Sequence, residues 1–247
     1  MKKIIAILLA LTLMLAGCSQ NTAPSGTVET NPAATEAPVS GTVETAPPAE
    51  ETEAPTEAPA EEKEISLGRM EGGIYTNAYA GFGCELDANW TFYTAEELQQ
   101  LPTDVAELFE DTDMDLGYDQ ISDMMAENVN DMTTMNVLYT RVSMAERVAY
   151  AAMTDEEIVD ATLEQKDAII TAYEQAGIQV DSIEKITVNF LGEERAAIHT
   201  VCAIEGYPYY ILQISDYHLG QYGVTLTFSS YFEDNTTSML DLFYAVE

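Results

Sequence analysis

Apolar and polar residues alternate with a period of two in several parts of the chain, and this pattern predicts half-buried strands. The first are predicted over 74–79, 82–87 and 135–142. Four more are predicted to follow one another over 178–190, 195–205, 208–217 and 222–230. The connections between these last four are short, and short connections join antiparallel neighbours. The pattern therefore predicts an antiparallel meander.

A period of 3.6 predicts helices between and after these strands. Thr94 and Glu97 form a capping box that begins a short helix, which Pro102 is expected to end. Residues 103–129 are predicted to carry helical pieces around an acidic loop. A second capping box at 154–157 opens a helix over about 155–176, with Gly177 as its stop, and a last helix is predicted over about 235–246. The sum is an α+β fold, an antiparallel sheet with helices packed on it.

The order of these elements and one weak motif resemble a known superfamily. The motif comprises Gly73, Tyr75, Asn77, Gly81, Phe82 and Trp90. Together with the middle helix, the meander and the terminal helix, it resembles PsbP-like domains. That superfamily includes the P subunit of the photosystem II oxygen-evolving complex, a eukaryotic Ran-release factor and many bacterial lipoproteins. The resemblance implies an α/β/α sandwich over 65–247 and a role in binding or assembly without catalysis.

The first eighteen residues have the pattern of an export leader. Lys2 and Lys3 precede an apolar run of about a dozen residues, too short to span roughly 30 Å of hydrocarbon. The run ends at Leu15-Ala16-Gly17-Cys18, which resembles the lipobox of bacterial lipoproteins. The resemblance implies that 1–17 is removed as a signal peptide and that Cys18 is lipidated. An ordinary signal peptide with a chance cysteine is the alternative.

Residues 18–64 differ in composition from the rest of the chain. Pro, Ala, Thr and Glu dominate, no aromatic residue occurs, and Thr-Glu-Ala-Pro appears three times. Such a segment buries too little apolar area to offset its ordering entropy, so a disordered tether is predicted. The single domain that follows is predicted to span 65–247.

The charge of the chain excludes one class of function and suggests another. The net charge is −34, and 65–247 alone carries 33 acidic residues against six basic ones. So few Lys and Arg argue against nucleic-acid binding. Asp111, Asp113 and Asp115 provide oxygen ligands at alternate positions, as Ca²⁺ prefers, but Leu116 and Ser122 replace the Gly and Glu of a calcium loop. A solvated acidic loop is the favoured interpretation, and a weak divalent-cation site the alternative.

Residues for nucleophilic catalysis are few. The two histidines, His199 and His218, are placed on a strand and at a turn, and no nucleophile motif accompanies either. Cys84 and Cys202 are predicted to point into the core as small apolar side chains, with a disulfide as the alternative. The sequence therefore predicts no catalytic residues and no cofactor.

Tyrosines are concentrated in the meander and are the candidate ligand-binding residues. A glycan or protein could stack on them, although core and edge packing is the more ordinary role of such residues in strands. The candidates are Tyr207, Tyr209, Tyr217 and Tyr222.

These observations together predict a monomeric bacterial lipoprotein that the lipid holds at the extracytoplasmic face of the cell membrane. Its domain is expected to bind an envelope protein or glycan, or to assist assembly there, and not to be an enzyme. An envelope hydrolase is the first alternative, and a cation or ligand sensor using the acidic loop 111–123 is the second.

Overall fold

The computed structural model describes residues 65–108 and 120–246, with side chains omitted for 102–108. The predicted leader, Cys18, the tether and most of the acidic loop, including Asp111, Asp113 and Asp115, lie outside these residues. Within the described part of the chain, no helix is long and apolar enough to cross a membrane.

Sixteen elements follow one another in the described residues. The first half comprises β1 (Arg69–Glu71), β2 (Ile74–Asn77), β3 (Phe82–Glu85), β4 (Trp90–Phe92), α1 (Ala95–Leu108), β5 (Gln120–Asn128), β6 (Thr133–Arg141) and α2 (Met144–Tyr150). The second half comprises α3 (Asp155–Leu163), α4 (Lys166–Gln175), β7 (Ile178–Phe190), β8 (Glu193–Ile204), β9 (Tyr207–Asp216), β10 (Tyr222–Tyr231), a 3-10 helix (Thr237–Leu242) and β11 (Phe243–Ala245).

Two antiparallel sheets form the frame of the fold. The larger has seven strands in the order β4-β5-β6-β10-β9-β8-β7, and the smaller has four in the order β1-β2-β3-β11. The predicted α+β class and the antiparallel meander β7–β10 are confirmed, the first of these strands with the predicted bounds.

The large sheet is covered on both faces. On one face, side chains of α1, α3 and α4, such as Leu98, Val159 and Tyr173, pack on Ile198 and Cys202. On the other face, the small sheet and the 3-10 helix bury a second apolar cluster around Tyr75, Phe82, Phe228, Met239 and Phe243. This second layer is mainly a sheet, so it differs from the helices that an α/β/α order implies.

Several predicted elements are wrong in the described residues. The first helix does not end at Pro102 but continues to Leu108. The predicted helix over 155–176 is two helices with a break at Glu164 and Gln165. The predicted terminal helix is a short 3-10 helix followed by a strand, because Phe243–Ala245 pairs with Phe82–Cys84 in the small sheet.

Strand β5 was predicted as helix for an identifiable physical reason. Ile121, Met124 and Met125 have helical spacing, but a bulge at Asp123 interrupts the alternation of the strand. As a result Ile121 and Met124 contact the same core, while Met125 packs in the other, and both methionines are fully buried.

A small cavity of about 20 Å³ lies between α3 and the large sheet. Gln213 contributes to its wall, is 3% exposed, and has an Oε1 atom with no hydrogen-bond partner in the described structure. Ser215 and Thr225 also line it, and their hydroxyl oxygens are 2.9 Å apart. The sheet therefore contributes three polar side chains to an otherwise mainly apolar cavity.

Candidate functional site

Three chain segments meet at one end of the large sheet. They are the β5–β6 turn, the β8–β9 turn and the residues that follow β10. Backbone hydrogen bonds join them: the amide of Tyr231 donates to the carbonyl of Met132 at 3.2 Å, and the amide of Phe232 donates to the carbonyl of Pro208 at 3.0 Å. The segments thus form one continuous surface.

Four large apolar side chains project from this surface, and we call Val129, Met132, Tyr207 and Phe232 the aromatic corner. Their exposed fractions are 53%, 42%, 55% and 51%, respectively. The rings of Tyr207 and Phe232 are 5.6 Å apart between centroids, at 75° to each other. Scattered exposed apolar residues are ordinary, whereas neighbouring ones on joined turns make this corner a candidate interaction surface.

The backbone holds two of these side chains in an unfavourable conformation. Met132 has φ of 54° and Phe232 has φ of 65°, in the left-handed region that costs a residue with a side chain about 1–2 kcal/mol. The two hydrogen bonds described above fix this conformation, together with one from the Glu233 amide to the Tyr231 carbonyl at 2.8 Å. Strain that the fold maintains at an exposed aromatic residue points to a functional surface.

Acidic residues flank the aromatic corner along the chain. Asp131, Glu205, Glu233 and Asp234 lie in the same three segments, and all are exposed. The segments 129–132, 205–208 and 231–236 contain no Lys or Arg. The corner is therefore apolar in its centre and negative at its rim.

His199 anchors the segment after β10. Its Nε2 lies 2.9 Å from Oδ2 of Asp234, while Oδ1 of the same carboxylate accepts a hydrogen bond from the Thr236 hydroxyl at 2.7 Å. This contact joins β8 to the turn that carries Phe232. It therefore helps to position the aromatic corner.

His218 lies at the opposite end of the large sheet. Its Nε2 is 3.1 Å from the carbonyl of Met153, and its Nδ1 is 3.6 Å from Asp216 and 3.9 Å from Asp155. Asp155 also pairs with Arg195 at 2.5 Å. In the described structure, no Ser, Thr or Cys side chain hydrogen bonds to either imidazole.

The four tyrosines predicted to bind a ligand do not share one surface. Only Tyr207 belongs to the aromatic corner. Tyr209 is buried against Tyr231, with ring centroids 4.5 Å apart, and burial raises its pKa. At the other end of the sheet, Tyr217 stacks on Tyr150 at 4.8 Å, and burial raises its pKa to about 12. The remaining candidate, Tyr222, is half-buried beside Tyr139.

Phe232 and Met132 were not among the residues predicted from the sequence. Neither residue stands in a motif, and each follows or precedes a strand where apolar residues are usual. The only sequence signal is positional: both lie in turns beside acidic residues. Their importance depends on φ angles and on turn-to-turn contacts, which alternation along the chain does not encode.

A buried carboxylate network forms a second polar centre in the domain. Asp123, at the bulge in β5, is 4% exposed. Its carboxylate accepts hydrogen bonds from the Tyr75 hydroxyl at 2.6 Å, from the Asn77 amide at 2.6 Å and from the Gly68 backbone at 2.9 Å. Asn77 also contacts the Tyr139 hydroxyl.

Burial dominates the electrostatics of this network. Desolvation raises the pKa of Asp123, while the hydrogen bonds from Tyr75, Gly68 and Asn77 act in the opposite direction. Burial and the neighbouring carboxylate also raise the pKa of Tyr75, so its hydroxyl remains a donor. With every partner contributed by the protein itself, the network fixes the two sheets and the Gly68 segment together.

Cys84 and Cys202 are unbonded and buried, as predicted for small apolar side chains. Cys84 belongs to the core under the small sheet and Cys202 to the core under the helices, so the two thiols lie on opposite faces of the large sheet. Burial raises the pKa of each to about 12. The alternative of a disulfide between them is therefore wrong.

Residues 65–108 and 120–246 contain no group of three or more His, Cys, Asp or Glu side chains placed to hold a metal ion. The predicted cation ligands Asp111, Asp113 and Asp115 are outside these ranges.

Comparisons with known proteins give no family. No protein-family model matches the chain, and no curated protein sequence matches it. A protein from Bacteroides thetaiotaomicron VPI-5482, with a crystal structure at 1.50 Å resolution, is similar at 11% identity and a TM-score of 0.31. The similarity covers 72% of this chain and 50% of that one, so the chain spans about half of its neighbour. Function therefore has to be argued from the residues.

Proposed function

We propose that this protein is a bacterial surface lipoprotein whose domain binds an envelope component or assists assembly, without catalysis. The leader and Cys18 supply the anchor at the extracytoplasmic face, and 18–64 supplies the tether. Two or three acyl chains make anchoring stable, where one chain gives marginal binding. The resemblance to PsbP-like domains, many of which are binding or assembly factors, agrees with this role.

The aromatic corner is the observation that carries the binding role. Aromatic residues and Met are enriched in protein interfaces, and a few such side chains provide most of the binding energy. Phe232 and Tyr207 are each about half exposed, and strained backbone holds Phe232 in place.

Site-specific photo-cross-linking in the native bacterium tests the binding role. The full-length chain carries a benzophenone amino acid in place of Tyr207, and a second version carries it in place of Val148. Val148 is 69% exposed on α2, beyond the opposite end of β6, and is a matched control. We expect a discrete adduct from position 207 that the additional substitution Phe232→Asn removes. Equal adducts from both positions, or none from 207, contradict the role.

A separate experiment tests the anchor. Labelled palmitate should be incorporated into the wild-type chain and not into Cys18→Ala, and globomycin should block removal of the leader. Processing that globomycin leaves unchanged would show that Cys18 is not lipidated. This result would leave the cross-linking experiment independent, because that experiment reports only on the domain.

A further inference from the structure

We infer that the aromatic corner binds a protein segment in which Lys or Arg side chains flank apolar ones. This inference rests on the proposed binding function and specifies the chemistry of its partner. The possible occupants of the corner differ in charge and in apolar content.

A second copy of the chain is a poor occupant. The domain carries 33 acidic residues against six basic ones, and the rim of the corner is acidic in every copy. Bringing two such rims together places like charges side by side, which costs free energy and slows association.

The tether is also a poor occupant. Residues 18–64 contain ten Glu and one Lys, and no aromatic, Leu, Ile or Met residue. The segment therefore has the same sign of charge as the rim and offers little apolar surface to the rings. Anionic lipids and phosphate-rich polymers are poor occupants for the same reason, because their negative charge is repelled by the rim.

A cationic partner with apolar side chains complements both the apolar centre and the negative rim of the corner. Its apolar residues cover Val129, Met132 and the exposed parts of the two rings. A Lys or Arg placed within about 6 Å of the Tyr207 or Phe232 ring gains a cation–π interaction. The carboxylates of Asp131, Glu205 and Glu233 attract the remaining positive charges. Because the corner has few side chains, the interface belongs to the small, transient class, with a dissociation constant in roughly the micromolar range.

Fluorescence anisotropy with defined peptides tests the inference. The full-length protein is placed in phosphatidylcholine nanodiscs, and empty nanodiscs correct for peptide binding to lipid. The first peptide alternates Lys with Leu and Tyr. The second replaces every Lys with Glu, and the third replaces every Leu and Tyr with Ser. We expect the first peptide to bind at least about tenfold more tightly than either of the others.

Variants locate the binding and separate its two contributions. Phe232→Asn removes one aromatic ring and introduces a residue that tolerates a left-handed φ. Tyr207→Ser removes the other ring. Each should weaken the first peptide about fivefold or more. The rim variant Asp131→Asn, Glu205→Gln, Glu233→Gln should weaken it similarly at about 25 mM NaCl and less at about 250 mM.

Matched controls are available elsewhere on the domain. Val148→Ser removes an apolar residue that is more exposed than any in the corner, and Glu174→Gln with Glu184→Gln removes exposed carboxylates from α4 and β7. Neither control should change binding. Equal loss in the controls, or equal binding of the second peptide, overturns the inference.

The two proposals fail in different ways. A cross-link from position 207 that depends on Phe232, together with no preference for the cationic peptide, leaves the binding role and rejects the cationic partner. If the cross-link from position 207 is absent as well, both the binding role and the cationic partner are rejected.

Discussion

The hydroxyl of Tyr75 donates a hydrogen bond to Oδ2 of Asp123 at 2.6 Å and thereby connects the two sheets. Tyr75 belongs to β2 of the small sheet, and Asp123 is the bulge residue of β5 in the large one. The same carboxylate holds the backbone amide of Gly68, just before β1. One side chain thus organises the entry of the chain into the domain.

Asp123→Ala should destabilise the domain strongly. The substitution leaves the Tyr75 hydroxyl, the Asn77 amide and the Gly68 amide without their common acceptor in a buried site. Each unsatisfied group costs about 1–3 kcal/mol, and partial rearrangement reduces the total, so we expect a loss of roughly 2–4 kcal/mol. Urea denaturation followed by circular dichroism measures this loss. Asp241→Ala, at an exposed carboxylate, is the control and should change stability little.

The stability contribution of Asp123 should depend on pH with a defined sign. Because burial raises its pKa above the ordinary value of 3.8, the folded state binds its proton more tightly than the unfolded state. The contribution of Asp123 to the free energy of unfolding therefore increases as pH falls through the folded pKa toward about 4, and it decreases as pH rises. The difference in unfolding free energy between the wild type and Asp123→Asn, measured from about pH 7 to about pH 4, isolates this group. The opposite slope would mean that the hydrogen bonds outweigh desolvation.

Glu157 provides an internal contrast. Hydrogen bonds from the backbone and hydroxyl of Thr154 in the capping box of α3 lower its pKa below the ordinary 4.5. Its contribution is present above pH 4.5 and is lost as pH falls through the folded value. In Glu157→Gln, the loss of stability that Glu157 causes at low pH should disappear. The pH dependence of stability that Asp123 causes at higher pH should remain.

Phe232→Asn should separate folding from binding. The lost ring contacts with Tyr207 and Tyr231 are offset by relief of left-handed strain, so we expect the unfolding free energy to change by less than about 1 kcal/mol. Thermal unfolding and the peptide titration, carried out on the same sample, measure both quantities. A loss of binding that accompanies a large loss of stability would instead indicate a structural role for the ring.

The two core thiols should be unreactive in the folded protein. Cys84 and Cys202 are fully buried, and their pKa values of about 12 leave almost no thiolate at neutral pH. We expect no reaction of either with Ellman's reagent until denaturant is added, and reaction of both afterwards. Rapid labelling of one thiol without denaturant would reveal local opening of the core that contains it.

The cavity under α3 should hold one ordered water molecule. Its volume of about 20 Å³ suits a single water, and Oε1 of Gln213 is a buried acceptor without a protein partner. A high-resolution crystal structure should show this water within hydrogen-bond distance of Gln213, and Gln213→Leu should remove it. A cavity without this water would contradict the prediction.

The sequence was most informative where local rules and the fold agree. The strand from Ile178 to Phe190 and the capping box at Thr154 follow directly from alternation and from helix-start chemistry. It was least informative where long-range contacts decide. The bulge at Asp123 gives β5 a helical spacing, and pairing with β3 converts the predicted terminal helix at Phe243 into a strand.

The candidate site depends on such long-range contacts even more strongly. Tyr207 was a candidate from its residue type and its position in the meander. Its neighbour Phe232 could not be identified in this way, because it is the register of β9 and β10 that brings the two turns together. Similarly, Tyr209 and Tyr217 belong to the same meander, but strand geometry directs them into cores.

The small sheet has a consequence for how the chain matures. Its strands β1–β3 come from residues 69–85 and its last strand from 243–245, with the Val246 amide donating to the Gly81 carbonyl at 2.9 Å. During synthesis the small sheet can therefore be completed only after more than 150 intervening residues have been made. Until then the outer edge of β3 has no partner strand in the small sheet, so the domain is complete only when its last residues are in place.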